Sequence, residues 1–138
     1  WHRPFDLEYV QGIATRNMAK HVGIRFTGFG DDWLEATMPV DERTMQPYGI
    51  VHGGASVVLA ETLGSTGANL CVDYPRVRCY GQEISASHLR PASSGHVTGR
   101  ASPLHVGRRS QVWQIEIRND AGKPTCVSRL TLAVVAES

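Results

Sequence analysis

One segment constrains this chain more than any other. From His52 to about Val72 the spacing predicts a single long helix, and its apolar residues Ala55, Val57, Val58, Leu59, Ala60, Leu63, Ala68 and Leu70 are spread around the circumference instead of along one stripe. A helix that is apolar all round is expected to be buried all round. Gly53, Gly54, Ala55, Ser56, Gly64, Ser65, Gly67 and Ala68 keep its surface low, so neighbouring backbone can approach closely. This is the one long helix of the chain, so its cover has to be sheet. A length of 138 residues matches one domain, and residues 1–138 are read as a single core built around that helix.

The remaining segments supply the sheet. After Pro75 the pattern is strand throughout: Val77 to Leu89, Gly95 to His105, Arg109 to Arg118 and Thr125 to Val135. Pro91-Ala92-Ser93-Ser94, Gly107 and Asn119-Asp120-Ala121-Gly122 provide the turns between them. Along residues 111–118, Val112, Gln114, Glu116 and Arg118 share one face while Trp113, Ile115 and Ile117 share the other, the alternation of a strand that covers a core on one side. Upstream, Gly23–Phe29 and Trp33–Val40 flank the turn residues Gly30-Asp31-Asp32 and predict a hairpin. Leu7 to Lys20 reads as one or two short helices weakened by Gly12 and Thr15, and Asp41 to Val51 as a loop. The class is α+β, a long buried helix wrapped by a curved antiparallel sheet.

Several classes of function are excluded. The net charge is +1 and the longest basic run is the pair Arg108-Arg109, too little for duplex nucleic acid or an anionic membrane surface, so neither is expected as a partner. Cys71, Cys79 and Cys126 cannot all pair within one chain and form no CxxC, which points to reduced thiols and a cytoplasmic location. No window approaches the roughly 18 apolar residues of a membrane span, and no signal peptide is legible. His2, His21, His88, His96 and His105 show no ligand spacing, and no metal is expected. GxSxG, a P-loop and a dinucleotide-binding GxGxxG are all absent.

The chemistry gathers on the long helix and the loop before it. Glu61 is the one carboxylate in that helix, and its helical neighbours Val57, Val58, Gly64 and Ser65 include no cation. An ionised carboxylate buried without a partner is costly, so such a residue either faces solvent or has a function. At the helix start, Gly53 and Gly54 leave backbone N–H groups open to a ligand where the macrodipole favours negative charge, as an oxyanion hole requires. Gln46 and His52 bracket the loop, and Ser65 follows Glu61 by one turn on the same face. Taken singly, His52 reads as a cap, Ser65 as a hydroxyl bonded back to the preceding turn, and Gln46 as loop polarity. Gly53 and Glu61 are separated by roughly 12 Å along one helix at 1.5 Å per residue, so one carbonyl cannot touch both. A site using both needs two chains with antiparallel helices, and the active unit is expected to be a homodimer or a tetramer built as a dimer of dimers.

The stretch DERTMQPYGIVHGGASVVLAETLGS at residues 41–65 strongly resembles the hotdog-fold thioesterases of the 4-hydroxybenzoyl-CoA and phenylacetate-pathway type. The resemblance extends to residues 31–41, 103–108 and 112–117, and within the family it is to the branch acting on 1,4-dihydroxy-2-naphthoyl-CoA in menaquinone synthesis or proofreading aryl carrier protein in siderophore synthesis. It implies a hotdog fold and hydrolysis of an aromatic acyl-CoA to free acid and CoA, without metal or cofactor, CoA being part of the substrate. Gly53 is then the donor to the thioester oxygen, Glu61 attacks or activates water, Ser65 positions that water, and Gln46 with His52 orients the acyl group. His88, Arg90, Arg108 and Arg109 become contacts for CoA. Met45, Tyr48 and Leu63, near the proposed site, favour an aromatic acyl group. The alternatives are proofreading of an acyl carrier protein and a non-catalytic acyl-CoA-binding module. A dehydratase on the same fold needs a helix-borne His base where this helix carries Glu61.

Overall fold

The computed structural model describes all 138 residues, Trp1–Ser138. Two short helices, α1 (Leu7–Ala14) and α2 (Met18–His21), lead into a hairpin of β1 (Arg25–Phe29) and β2 (Leu34–Pro39). A loop then delivers the chain to α3 (Gly53–Leu70), and β3 (Val77–His88), β4 (His96–Val106), β5 (Ser110–Arg118) and β6 (Pro124–Ala136) follow. All six strands form one antiparallel sheet in the order β1-β2-β4-β5-β6-β3, with α3 across its core face. This is the expected order of elements, with boundaries displaced by one or two residues. No helix is long and apolar enough to cross a membrane.

The small residues of α3 let the sheet close on it. A Cβ on Gly67 would lie 2.7 Å from Trp113 Cζ3, and one on Gly64 would lie 2.6 Å from Leu130 Cδ2. Trp113, Ile115, Ile117 and Leu130 are fully buried there, each worth on the order of 1.5–3 kcal/mol relative to exposure. Gln111 is buried on the same face and is satisfied, its Nε2 donating to Ala68 O (3.3 Å) and its Oε1 accepting from Trp113 Nε1 (2.8 Å).

The expectation of a helix buried all round is corrected. Leu59, Ala60, Leu63, Gly64, Gly67 and Ala68 are buried, whereas Val57, Val58, Glu61, Thr62 and Ser65 form a half-exposed strip. A six-stranded sheet curls around one side of a helix only, so within one chain the opposite side keeps part of its apolar surface in water.

Strand β3 is an edge, and most of its 12 residues are exposed. Asn69 covers one point on it, with Oδ1 accepting the Cys79 N–H (2.8 Å) and Nδ2 donating to the Cys79 carbonyl (3.1 Å). From Gly81 onward the backbone groups turned away from β6 have no partner in the chain. Long edges of this kind invite another strand.

Candidate active site

One end of the sheet gathers Pro39, His96, Arg118, Pro124 and His88, because the antiparallel registers place Pro39 opposite His96 and His88 opposite Cys126. The loop after β2 folds over this end. It is pinned by the Val51 N–H donating to Ala92 O (2.7 Å), the His52 N–H donating to Thr44 O (2.7 Å), and the buried Thr44 hydroxyl donating to Pro39 O (2.7 Å). Between the loop, the start of α3 and the end of β3 lies a cavity of about 470 Å³, lined by Gln46, Ile50, Val51, Gly53, Ser56, His88, Leu89, Arg90, Pro91 and Thr125.

The first turn of α3 presents one unused donor to that cavity. The Gly54 N–H donates to His52 Nδ1 (2.8 Å), and the Ala55 and Ser56 N–H groups both donate to His52 O (2.9 and 3.1 Å). The Gly53 N–H has no partner. It points from the positive end of an 18-residue helix, where a developing oxyanion is stabilised by both hydrogen bond and dipole. Glycine at this position also makes room for a neighbour, since a Cβ on residue 53 would lie 2.9 Å from His88 Nε2.

His52 is the N-cap of α3, so the plain reading of this residue as a cap holds. Because Nδ1 accepts, the neutral ring carries its proton on Nε2 and keeps one outward donor. Gln46 Oε1 accepts the Tyr48 N–H, which leaves its amide NH₂ free at the cavity wall. The Ser65 hydroxyl is not bonded back to the preceding turn; Thr66 makes that bond, to Thr62 O at 2.6 Å.

Glu61 stands two turns along α3, outside the cavity and half-buried, with no cation paired to it. Burial pushes its carboxyl above the ordinary glutamate value. A carboxyl raised in this way holds its proton more tightly folded than unfolded, so it subtracts stability as pH rises from the unfolded toward the folded value. Glu61→Gln is therefore expected to melt higher than the parent at about pH 8 and to lose that advantage toward about pH 4, where both forms are neutral. Melting curves of both proteins across this range check it, and a lower Tm for the variant at the alkaline end contradicts it.

One chain thus brings together Gln46, Gly53, His88 and Arg90, with His52 beside them, and holds Glu61 with Ser65 apart, as the helical rise requires. Arg90 is exposed and donates to Pro124 O at 2.8 Å. Arg108 and Arg109 are not brought to this cavity. They sit in the β4–β5 turn, and the β6 partners of Ser110 and His88, Ala133 and Cys126, are seven residues apart, roughly 23 Å at about 3.3 Å per residue. The acyl-side expectation is also corrected. Leu63 is fully buried against Gly99 and Met45 packs on the core, whereas Tyr48, 88% exposed, stays beside the cavity through its N–H bond to Gln46. The apolar wall consists of Ile50, Val51, Leu89 and Pro91 instead. Gly81 was not legible as part of the site, yet a Cβ there would lie 2.2 Å from Glu61 Oε1. A glycine inside a strand pattern was the available signal.

Comparison with known proteins gives the family. The family profile described as thioesterase superfamily matches residues 48–126. The 1,4-dihydroxy-2-naphthoyl-CoA hydrolase of Escherichia coli is 50% identical over 98% of this chain and 98% of its own length. The proofreading thioesterase EntH of Cronobacter turicensis is 49% identical with the same coverage of both chains. A crystal structure of a thioesterase from Haemophilus influenzae superposes with a TM-score of 0.94 at 51% identity, covering 99% of this chain and 94% of that one.

Proposed function

The chain belongs to the thioesterase superfamily and is a hotdog-fold thioester hydrolase, and from that premise we propose that it cleaves aromatic acyl-CoA thioesters at a site shared by two subunits. The observation that carries the reading is the unpartnered Gly53 N–H at a cavity of about 470 Å³, with an unpaired carboxylate on the same helix. The thioester oxygen accepts the Gly53 N–H, and Gln46 with His52 Nε2–H orients the acyl group. Glu61 of the second subunit either attacks the carbonyl carbon, expelling the thiolate and leaving a mixed anhydride that water then hydrolyses, or deprotonates the water that attacks directly, and Ser65 holds that water. Both routes need Glu61 ionised. The thiolate leaves without acid assistance because it is far more stable than an alkoxide, so the demand falls on the oxyanion and the nucleophile. His88 and Arg90, at the mouth of the cavity, suit the anionic CoA moiety.

The edge strand supports the shared site. Glu61 lies beside Gly81 and Gly53 beside His88, both on β3. Two β3 edges paired antiparallel about a two-fold axis near Ile84 and Ser85 set Gly81 opposite the second chain's copy of His88. The same operation brings Glu61 to the other helix's N-terminus and covers Val57 and Val58.

The aromatic preference draws on the E. coli relative and on the apolar residues Ile50, Val51, Leu89 and Pro91 in the cavity lining. Proofreading of an aryl carrier protein is the second reading, favoured by the EntH relative. A panel of benzoyl-, hydroxynaphthoyl- and palmitoyl-CoA and an aryl carrier protein thioester, followed by thiol release, separates these readings. Aromatic CoA thioesters are expected to give the highest kcat/KM. Faster turnover of palmitoyl-CoA reverses the acyl assignment, and faster turnover of the carrier thioester reverses the carrier.

A further inference from the structure

Glycine at position 81 has no conformational excuse. The positive-φ glycines are Gly23, Gly49, Gly95 and Gly122, and Gly81, within β3, is not among them. Nor does it make room for apolar packing in the way Gly64 admits Leu130 or Gly99 admits Leu63. The atoms filling the space of its missing side chain are those of the Glu61 carboxyl, with Oε1 2.2 Å and Cδ 3.2 Å from where a Cβ would stand. Immediately beyond it the β3–β6 register shifts, Gly81 pairing with Leu132 and Glu83 with Thr131, so Gln82 is the extra residue of a bulge. Bulges recur beside active sites because they re-aim a strand locally.

We propose that Gly81 and the bulge after it form a seat that positions the Glu61 carboxylate, making Gly81 a positioning residue for thioester hydrolysis. The proposal rests on the catalytic reading of Glu61 and adds how that group is held. The seat is backbone, so it offers space and no charge, and within the chain the Glu61 carboxylate has no ion pair to fix it.

Gly81→Ala tests the seat. Ordinary contact begins near 3.4 Å, so the carboxylate has to retreat by roughly 1 Å, and a misplacement of that size can lower a rate by about 10²-fold. The fold should tolerate the change, because the new methyl otherwise meets Leu130 Cδ1 at 3.4 Å and alanine suits a strand interior better than glycine. The expected result is a kcat lowered by about 10- to 10²-fold with KM changed by less than about threefold. Tm and oligomeric state should be unchanged. Glu61→Asp withdraws the carboxylate by one methylene, so it should harm the parent enzyme and partly restore the Gly81→Ala enzyme. An unchanged kcat in Gly81→Ala, a loss that Glu61→Asp does not relieve, or a loss of assembly overturns the seat. If Gly81→Ala is normal while Glu61→Gln is dead, only the seat fails. If Glu61→Gln stays active, the catalytic reading itself fails.

Discussion

Glu61→Gln should lower kcat/KM toward aromatic acyl-CoA by about 10³-fold or more while the protein folds and assembles as the parent does. The amide keeps the shape of the side chain against Gly81 but can neither attack a carbonyl nor take a proton from water. Because the amide fills the same space as the carboxylate, substrate binding at the cavity lined by Gln46, Gly53, His88 and Arg90 should survive and the loss should appear in kcat. The parent's kcat/KM should also fall on the acid side through a value above that of an ordinary glutamate, because burial raises this carboxyl. Steady-state kinetics of the purified variant decide the matter. Activity near the parent's would remove Glu61 from the mechanism.

The second large effect is the return of activity from two dead enzymes. Gly53→Pro removes the one unpartnered N–H of the first turn, and no hydrogen bond of the helix is lost with it. Residue 53 is the first helical position, where proline is favoured, and His52 before it is extended at φ −68° and ψ 132°, as a residue preceding proline should be. The ring presses on His88 Nε2, but His88 is an exposed side chain free to swing aside. Gly53→Pro and Glu61→Gln should each be inactive alone. Co-refolded at equal amounts, half of the dimers are mixed, and each mixed dimer has one site with both parent halves, so about a quarter of parent activity returns. No recovery in demonstrated mixed dimers would mean that each site is built within one chain.

Much of this site is legible in the sequence because its signals are local. A pair of glycines at the start of a helix and one carboxylate without a cation within four residues need no knowledge of the rest of the chain. The separation of Gly53 from Glu61 is equally local, since helical rise alone sets it. The same holds for the alternation of Trp113, Ile115 and Ile117, which shows which face of β5 meets the core.

Other features depend on what the sheet brings together. Arg108 and Arg109 look equivalent to Arg90 as cations beside strand ends, but antiparallel pairing sends them to the opposite end of the sheet. Leu63 lies near Glu61 in sequence and points the other way around the helix, into the core. The apolar wall of the cavity comes instead from Ile50 and Val51 before α3 and Leu89 and Pro91 after β3, some forty residues apart in the chain.

By itself the sequence determined the order of elements, the identity of the long helix and the residues able to do chemistry, since period, capping and charge act over a few neighbouring residues. Only the tertiary structure decided that Gly81 leaves the space the Glu61 carboxyl fills, that in the first turn of α3 the Gly53 N–H alone stays free, and that one flank of α3 and one edge of β3 remain uncovered within the chain. Those are questions of which surfaces meet, and a six-stranded sheet closing around one helix settles them through contacts between residues far apart in the chain.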